Sequence, residues 1–111
     1  MKRYFRQAKK IAIKAADRRK YRLGAVGVRK DGIVVTACNL PTKCPEPQAH
    51  AEARLTKKLD YGSTVYVVRV TRDNSLTIAR PCESCIRIMR IRGVKKCFYS
   101  INENEYGVII F

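Results

Sequence analysis

The sequence predicts an α/β fold, namely a three-layer α/β/α sandwich around a five-stranded mixed sheet. Helical and strand patterns alternate in the order α-β-β-α-β-α-β-β, which is typical of helices packed on both faces of one sheet. The run Thr64–Val70 is mostly apolar or β-branched, as expected for a strand buried on both faces. Only Ile101–Glu105 joins the last two strands, which suits an antiparallel hairpin and leaves no room for a helical crossover.

The first helix is predicted over residues 3–18, where apolar residues recur at helical spacing. Its opposite side carries a basic stripe at i+3 and i+4 steps, formed by Arg3, Arg6, Lys10, Lys14 and Arg18. Two strands are predicted next, over residues 24–30 and 33–38. The Asp31-Gly32 pair between them predicts a two-residue hairpin turn, because glycine tolerates the positive φ that such a turn requires.

The second half of the chain is divided by prolines and glycines. Three prolines in residues 39–47 predict a loop, and a helix over Gln48–Tyr61 is expected to end at Gly62. Pro81 precedes the last predicted helix and Gly93 ends it. The other predicted bounds are a loop over Thr71–Arg80, the last helix over Cys82–Arg92, and strands over Val94–Ser100 and Tyr106–Phe111.

The length of 111 residues predicts one compact domain over residues 1–111, and 46% hydrophobic residues suffice for a core. No apolar run reaches the ~18 residues that span a membrane, and no apolar stretch follows the basic N-terminus as in a secretory signal. We therefore expect a cytoplasmic protein. The odd number of five cysteines disfavours a disulfide framework and favours metal binding or catalysis for a C-x-x-C pair.

The charge is strongly basic, with 24 Lys and Arg against nine Asp and Glu and a net charge of +15. Residues 1–30 hold twelve of these basic residues and a single acid, Asp17. Such a balance favours anionic partners, including nucleotides and nucleic acid. A solvated helix face that aids solubility explains the same pattern at least as well.

Two short segments carry candidate chemistry: His50-Ala51-Glu52 at the start of the second helix, and Cys82 with Cys85 at the start of the third. Residues three apart at a helix start face the same way, and a helix N-terminus favours the thiolate that zinc requires. Each feature alone has an ordinary explanation. The cysteines could be a redox pair or two small core residues, His50 could be structural, and Glu52 could simply stabilise the helix N-terminus.

Taken together, one histidine and two cysteines make three protein ligands, the number typical of catalytic zinc with a fourth position for water. Glu52 lies two residues from His50 and could exchange a proton with that water. The pattern H-x-E…P-C-x-x-C is the signature of zinc deaminases.

On these motifs the chain resembles the cytidine deaminase superfamily over nearly its whole length. The resemblance rests on the initial helix, the hairpin at Asp31-Gly32, Asn39, the two motifs in this order and the segment Gly93–Tyr99. It implies that zinc is bound by His50, Cys82 and Cys85, and that Glu52 is the proton shuttle. It also implies that Asn39 holds the substrate's sugar or base, and that the backbone N–H groups of Ala51 and Cys82 contact the base.

The resemblance points to more than one branch of the superfamily. His50 stands where free-cytidine deaminases typically use cysteine, as in the deoxycytidylate and tRNA branches. Those branches, however, usually place a helix between the last two strands, and Ile101–Glu105 is too short to hold one.

Three functions remain as hypotheses. The first is a hydrolase that deaminates a cytosine nucleoside or nucleotide and releases ammonia. The second deaminates tRNA or single-stranded nucleic acid, with the basic stripe holding phosphates. The third is a non-catalytic nucleic-acid-binding module with a structural zinc, which would have no use for Glu52. We expect the first, and a homo-oligomer as in most members of the family.

Overall fold

The computed structural model describes residues 2–14, 22–38 and 55–111. The elements in chain order are α1 (Lys2–Ile13), β1 (Arg22–Val28), β2 (Val34–Cys38), β3 (Thr64–Val70), β4 (Leu76–Thr77), α2 (Glu83–Arg92), β5 (Lys96–Ser100) and β6 (Tyr106–Ile110). No helix in these ranges is long and apolar enough to cross a membrane.

The strands form one mixed sheet in the order β2-β1-β3-β5-β6, with β4 paired to β3. β1 is antiparallel to both β2 and β3, whereas β3 and β5 are parallel. β5 and β6 form the predicted antiparallel hairpin. Within the described ranges the sheet has six strands instead of the predicted five, because β4 has only two residues and is too short to show a periodic pattern.

Helices cover both faces of this sheet, as the sequence predicts. On one face, Tyr66, Val68 and Val70 of β3 pack in a core cluster with α1. On the other face, Val65 and Val67 pack with Met89 of α2 and with Leu55. Leu55 and Thr56 are the described helical residues at the end of a second helical segment. β3 is therefore buried on both sides.

The helix α1 packs closely on β1. Ala8 and Ala12 are fully buried, and Gly24 faces them: a Cβ at position 24 would lie 2.7 Å from the backbone nitrogen of Ala12. The predicted basic side of the helix is exposed at Arg6 and Lys10. The helix ends at Ile13, and residues 15–18 of the longer predicted helix lie outside the described residues.

The turn between β1 and β2 differs from the prediction. The N–H of Arg29 donates to the carbonyl of Ile33 at 2.8 Å, and the N–H of Gly32 donates to the carbonyl of Arg29 at 2.9 Å. The hairpin therefore has a three-residue turn, and the prediction of a two-residue turn was wrong. Gly32 occupies the last turn position with φ +89°, the left-handed conformation that three-residue hairpin turns require there.

The second predicted helix ends earlier than Tyr61. The N–H of Lys58 donates to the carbonyl of Leu55 at 2.8 Å, and that of Leu59 to Thr56 at 3.2 Å, which are i→i−3 bonds that tighten the last turn. Gly62, with φ +88°, belongs instead to the turn before β3. The predicted start of this helix and the loop over residues 39–47 lie outside the described residues.

Candidate metal centre

The start of α2 lies at the carboxyl end of the parallel strands β3 and β5. The N–H of Ala79 donates to the carbonyl of Ser100, the last residue of β5, at 2.8 Å. From there α2 runs back to Gly93, whose carbonyl accepts a hydrogen bond at 2.7 Å from Gly62, just before β3 begins. The carboxyl ends of strands in such sheets are where ligands usually bind.

Cys82 and Cys85 occupy the first turn of this helix. Cys82 is the N-cap residue, with φ −72° and ψ 166°, and its carbonyl accepts the first helical hydrogen bond from Ile86 at 3.0 Å. Its side chain is exposed, whereas Cys85, three residues on, is fully buried. Side chains three apart in a helix lie on one face, so the pair spans from the surface to the interior.

This pair suits a soft metal ion such as zinc. Both residues supply sulfur, and the positive end of the helix dipole stabilises thiolates at its first turn. The described residues contain no group of three or more potential ligands. Of the three predicted ligands, the structure describes Cys82 and Cys85. The third, His50, lies outside the described residues, as do Glu52, Ala51 and Asn39.

The end of β2 lies at this same edge of the sheet. Gly24 of β1 pairs with Cys38 on one side and with Val68 on the other, so β2 and β3 end side by side. The chain leaves β2 at Cys38, directly before Asn39, at the edge where α2 begins.

Ser100 is a supporting residue that sequence reasoning missed. It is 2% exposed, and its hydroxyl donates to the carbonyl of Thr77 at 2.7 Å and accepts from the N–H of Arg69 at 3.4 Å. It thereby connects β3, β5 and β4, the strand from which the chain continues to Cys82. A serine near the end of a predicted strand gives no signal of this role, because the contacts come from separate segments.

The other described cysteines are not part of the pair. Cys97 is fully buried in the core cluster beneath α2. Cys38 is half-buried at the end of β2. Cys44, which the sequence assigned to the proline-rich loop, lies outside the described residues.

The family described as the cytidine and deoxycytidylate deaminase zinc-binding region matches residues 1–101. The chain belongs to this family. The resemblance inferred from the two motifs is therefore confirmed, and the zinc-binding region of the family implies Zn²⁺ as the metal.

Solved structures share the fold of this deaminase family member. A cytidine deaminase from Burkholderia pseudomallei matches with a TM-score of 0.72 at 21% identity, covering 98% of this chain and 91% of that chain. A cytidine deaminase from Mycobacterium leprae matches with a TM-score of 0.64 at 17% identity, with the same coverage of each chain. That from Mycobacterium tuberculosis gives 0.57 at 20% identity, covering 89% and 82%. No curated protein sequence matches significantly.

Proposed function

We propose that this deaminase family member is a zinc-dependent hydrolase that converts a cytosine nucleoside or nucleotide into its uracil counterpart and ammonia. The observation that carries the proposal is the pair Cys82 and Cys85 at the start of α2, at the carboxyl edge of the sheet, in a chain of this family. The exposed and buried positions of the two cysteines suit a metal at the boundary between core and solvent.

His50, Cys82 and Cys85 would hold the zinc. When bound, zinc supplies a Lewis acid that makes a water molecule acidic enough to lose a proton near neutral pH. Glu52 takes that proton, gives it to the ring nitrogen of cytosine, and assists protonation of the amino group as it leaves. One water is consumed and one ammonia is released, so the carbonyl oxygen of the uracil product comes from water.

Substrate positioning is assigned to Asn39, to the backbone N–H of Ala51 and to that of Cys82. The N–H at a helix N-terminus has no acceptor within its own helix, which suits donation to the edge of a base. Asn39 follows directly after Cys38, which supports a contact with the sugar or base at this edge.

A free nucleoside or nucleotide is favoured over a polymer by the short connections around the site. β5 and β6 are joined by residues 101–105 alone, which adds no insertion that could form a long strand groove. The structural neighbours named above are cytidine deaminases.

A deaminase of tRNA or single-stranded nucleic acid is the second candidate. It is supported by the exposed basic residues Arg6, Lys10 and Lys14 of the first helical segment. A non-catalytic module is disfavoured, since it would not need Glu52.

We also propose that the protein forms a homo-oligomer and acts in the cytoplasm. The edge strand β6 exposes Tyr106, Val108 and Ile110, an apolar row that supports burial by a second copy of the chain. The use of cysteine as a metal ligand supports a reducing compartment. Light scattering of the purified protein gives the number of subunits, and a monomer would contradict the oligomer.

The test of the function is a substrate panel scored for ammonia release with the zinc-loaded protein. It contains cytidine, deoxycytidine, their monophosphates, adenosine, guanosine and short single-stranded oligonucleotides. Turnover of at least one free cytosine compound supports the proposal. Activity on oligonucleotides alone would favour the second candidate, and activity on a purine alone would overturn the cytosine assignment.

A further inference from the structure

A cavity lies at the amino ends of β3 and β5, the opposite end of these parallel strands from the thiols of Cys82 and Cys85. It has a volume of about 530 Å³, within the range of small-molecule sites. The residues that matter for its chemistry are Lys30, Tyr61, Arg90, Gly93, Lys95 and Phe111. They come from four separate segments of the chain, so no local sequence pattern indicates the cavity.

Two glycine turns build the floor of this cavity. Gly62 and Gly93 both have φ near +87°, at +88° and +86°, and the N–H of Gly62 donates to the carbonyl of Gly93 at 2.7 Å. The ring of Tyr61 lies against Gly93, because a Cβ at that position would lie 3.1 Å from Tyr61 Cε2. Tyr61 is nevertheless 78% exposed, so its ring is supported on one side and open to solvent on the other.

Three cations surround this aromatic platform. Lys30, Arg90 and Lys95 line the cavity and are all exposed, and no carboxylate side chain among the described residues lines it. The guanidinium of Arg90 lies 5.9 Å from the ring centre of Phe111. The backbone N–H of Phe111 donates to the carbonyl of Lys95 at 3.2 Å, which holds this segment against the cavity.

The acid next to Tyr61 in the chain is occupied by other partners. Asp60 precedes Tyr61, but its carboxylate accepts hydrogen bonds from Ser63 Oγ at 2.8 Å and from the N–H of Lys30 at 3.3 Å, and it pairs with Arg29 at 3.5 Å. A larger groove beside α1 is lined by Arg3, Arg6 and Lys9, and there one acid, Glu103, pairs with Lys9 at 3.5 Å. The cavity beside Tyr61 differs in that no acidic side chain of the described residues lines it.

We propose that this cavity binds a free nucleotide carrying more than one phosphate. The base of the nucleotide stacks on the exposed face of Tyr61, and the phosphates of the nucleotide contact Lys30, Arg90 and Lys95. Aromatic rings stack on bases of any sequence, and lysine and arginine are the usual phosphate ligands. A compact nucleotide fits better than a strand, because the cations surround one cavity instead of following a track. The proposal does not depend on the zinc chemistry at the other end of the sheet.

Calorimetry tests the phosphate contacts, with adenosine triphosphate, inorganic triphosphate and a single-stranded oligothymidylate as probes. Two triple variants are compared. The first combines Lys30→Gln, Arg90→Gln and Lys95→Gln. The second combines Arg6→Gln, Lys10→Gln and Lys14→Gln, and it loses the same charge from an exposed helix face. We expect adenosine triphosphate to bind at least about tenfold more weakly to the first variant and nearly unchanged to the second. Equal weakening in both variants would overturn the proposal, because it would indicate general charge attraction.

The aromatic part is tested with Tyr61→Leu against the conservative Tyr61→Phe. We expect Tyr61→Leu to weaken binding of adenosine triphosphate but not of inorganic triphosphate, and Tyr61→Phe to preserve both. Tight binding of oligothymidylate with none of adenosine triphosphate would overturn the proposal in favour of a nucleic-acid surface. Thermal unfolding checks the folding of each variant, and Lys95→Gln alone replaces the triple variant if that does not fold.

Discussion

The two ends of the parallel strands β3 and β5 are built alike but carry different chemistry. At each end a backbone hydrogen bond joins the flanking segments, from Ala79 to Ser100 at 2.8 Å and from Gly62 to Gly93 at 2.7 Å. The carboxyl end presents the sulfur atoms of Cys82 and Cys85, which suit a soft metal. The amino end presents lysine, arginine and an exposed tyrosine, which suit a phosphate and a flat ring.

The sheet determines where the two sites lie, whereas the segments beyond its strands determine their chemistry. The helix α2 connects the two ends, since it begins at the thiols and finishes at Gly93. The following variants disturb one end at a time. A change that acts on one end should leave the other intact, because the two are separated by the length of a ten-residue helix.

The largest effect is expected from removing a thiol. Cys82→Ser should lose zinc and with it all turnover, because a hydroxyl is a much poorer zinc ligand than a thiolate. Its side chain is exposed, so the fold should survive. Elemental analysis after zinc reconstitution and dialysis measures the metal content. The matched control is Cys97→Ala, which removes a buried cysteine outside the pair, and this variant should retain one zinc per chain. If both variants retained zinc equally, the ligand assignment would be contradicted.

The next largest effect concerns the acid–base residue. Glu52→Ala should keep zinc and fold but lower the turnover number by about 10²–10⁴, the usual contribution of general acid–base catalysis. Steady-state ammonia release on the best substrate of the panel measures this. Glu83→Gln is the control, because it removes an exposed carboxylate in the first turn of α2. Near-normal turnover by Glu52→Ala would show that another group moves the protons.

A smaller effect, on stability, is expected from removing the Ser100 hydroxyl, which connects the segments at the carboxyl end of the strands. Ser100→Ala removes the hydroxyl that bonds Thr77 and Arg69 within a buried site, which should lower the free energy of unfolding by about 1–3 kcal/mol. Urea unfolding measures it against Ser84→Ala, an exposed serine of α2. If the two variants were equally stable, Ser100 would not hold the segments together.

The smallest effect lies at the amino end, at Asp60. The hydroxyl of Ser63, with further help from the Lys30 N–H and the charge of Arg29, holds the pKa of Asp60 below its ordinary value. A lowered pKa in the folded state stabilises the fold above the unfolded pKa of about 3.9, and this contribution disappears as the pH falls through the folded pKa. Asp60→Asn should therefore show a weaker loss of stability on acidification than the wild type. Unfolding measured from pH 6 downwards checks this, and parallel curves would contradict it.

Sequence reasoning succeeded where the determining pattern is local. The run Thr64–Val70 gave the bounds of β3, because β-branched residues alternate onto two buried faces, and Gly93 correctly marked the end of α2. The three-residue turn at Gly32 was misjudged, since an Asp-Gly pair fits two turn lengths. The Ser100 contacts and the cavity beside Tyr61 could not be predicted, because the residues that form them meet only after the sheet is assembled.

Zinc X-ray absorption of the reconstituted protein identifies the atoms bound to the proposed catalytic zinc, which we expect to be held by one histidine and two cysteines. We expect two sulfur ligands at about 2.3 Å and the remaining nitrogen and oxygen ligands at about 2.0–2.2 Å. Cys82→Ser should lower the number of sulfur ligands in any zinc that remains. Three or four sulfur ligands in the wild type, or a spectrum of fully hydrated zinc, would rule out a site of one histidine and two cysteines.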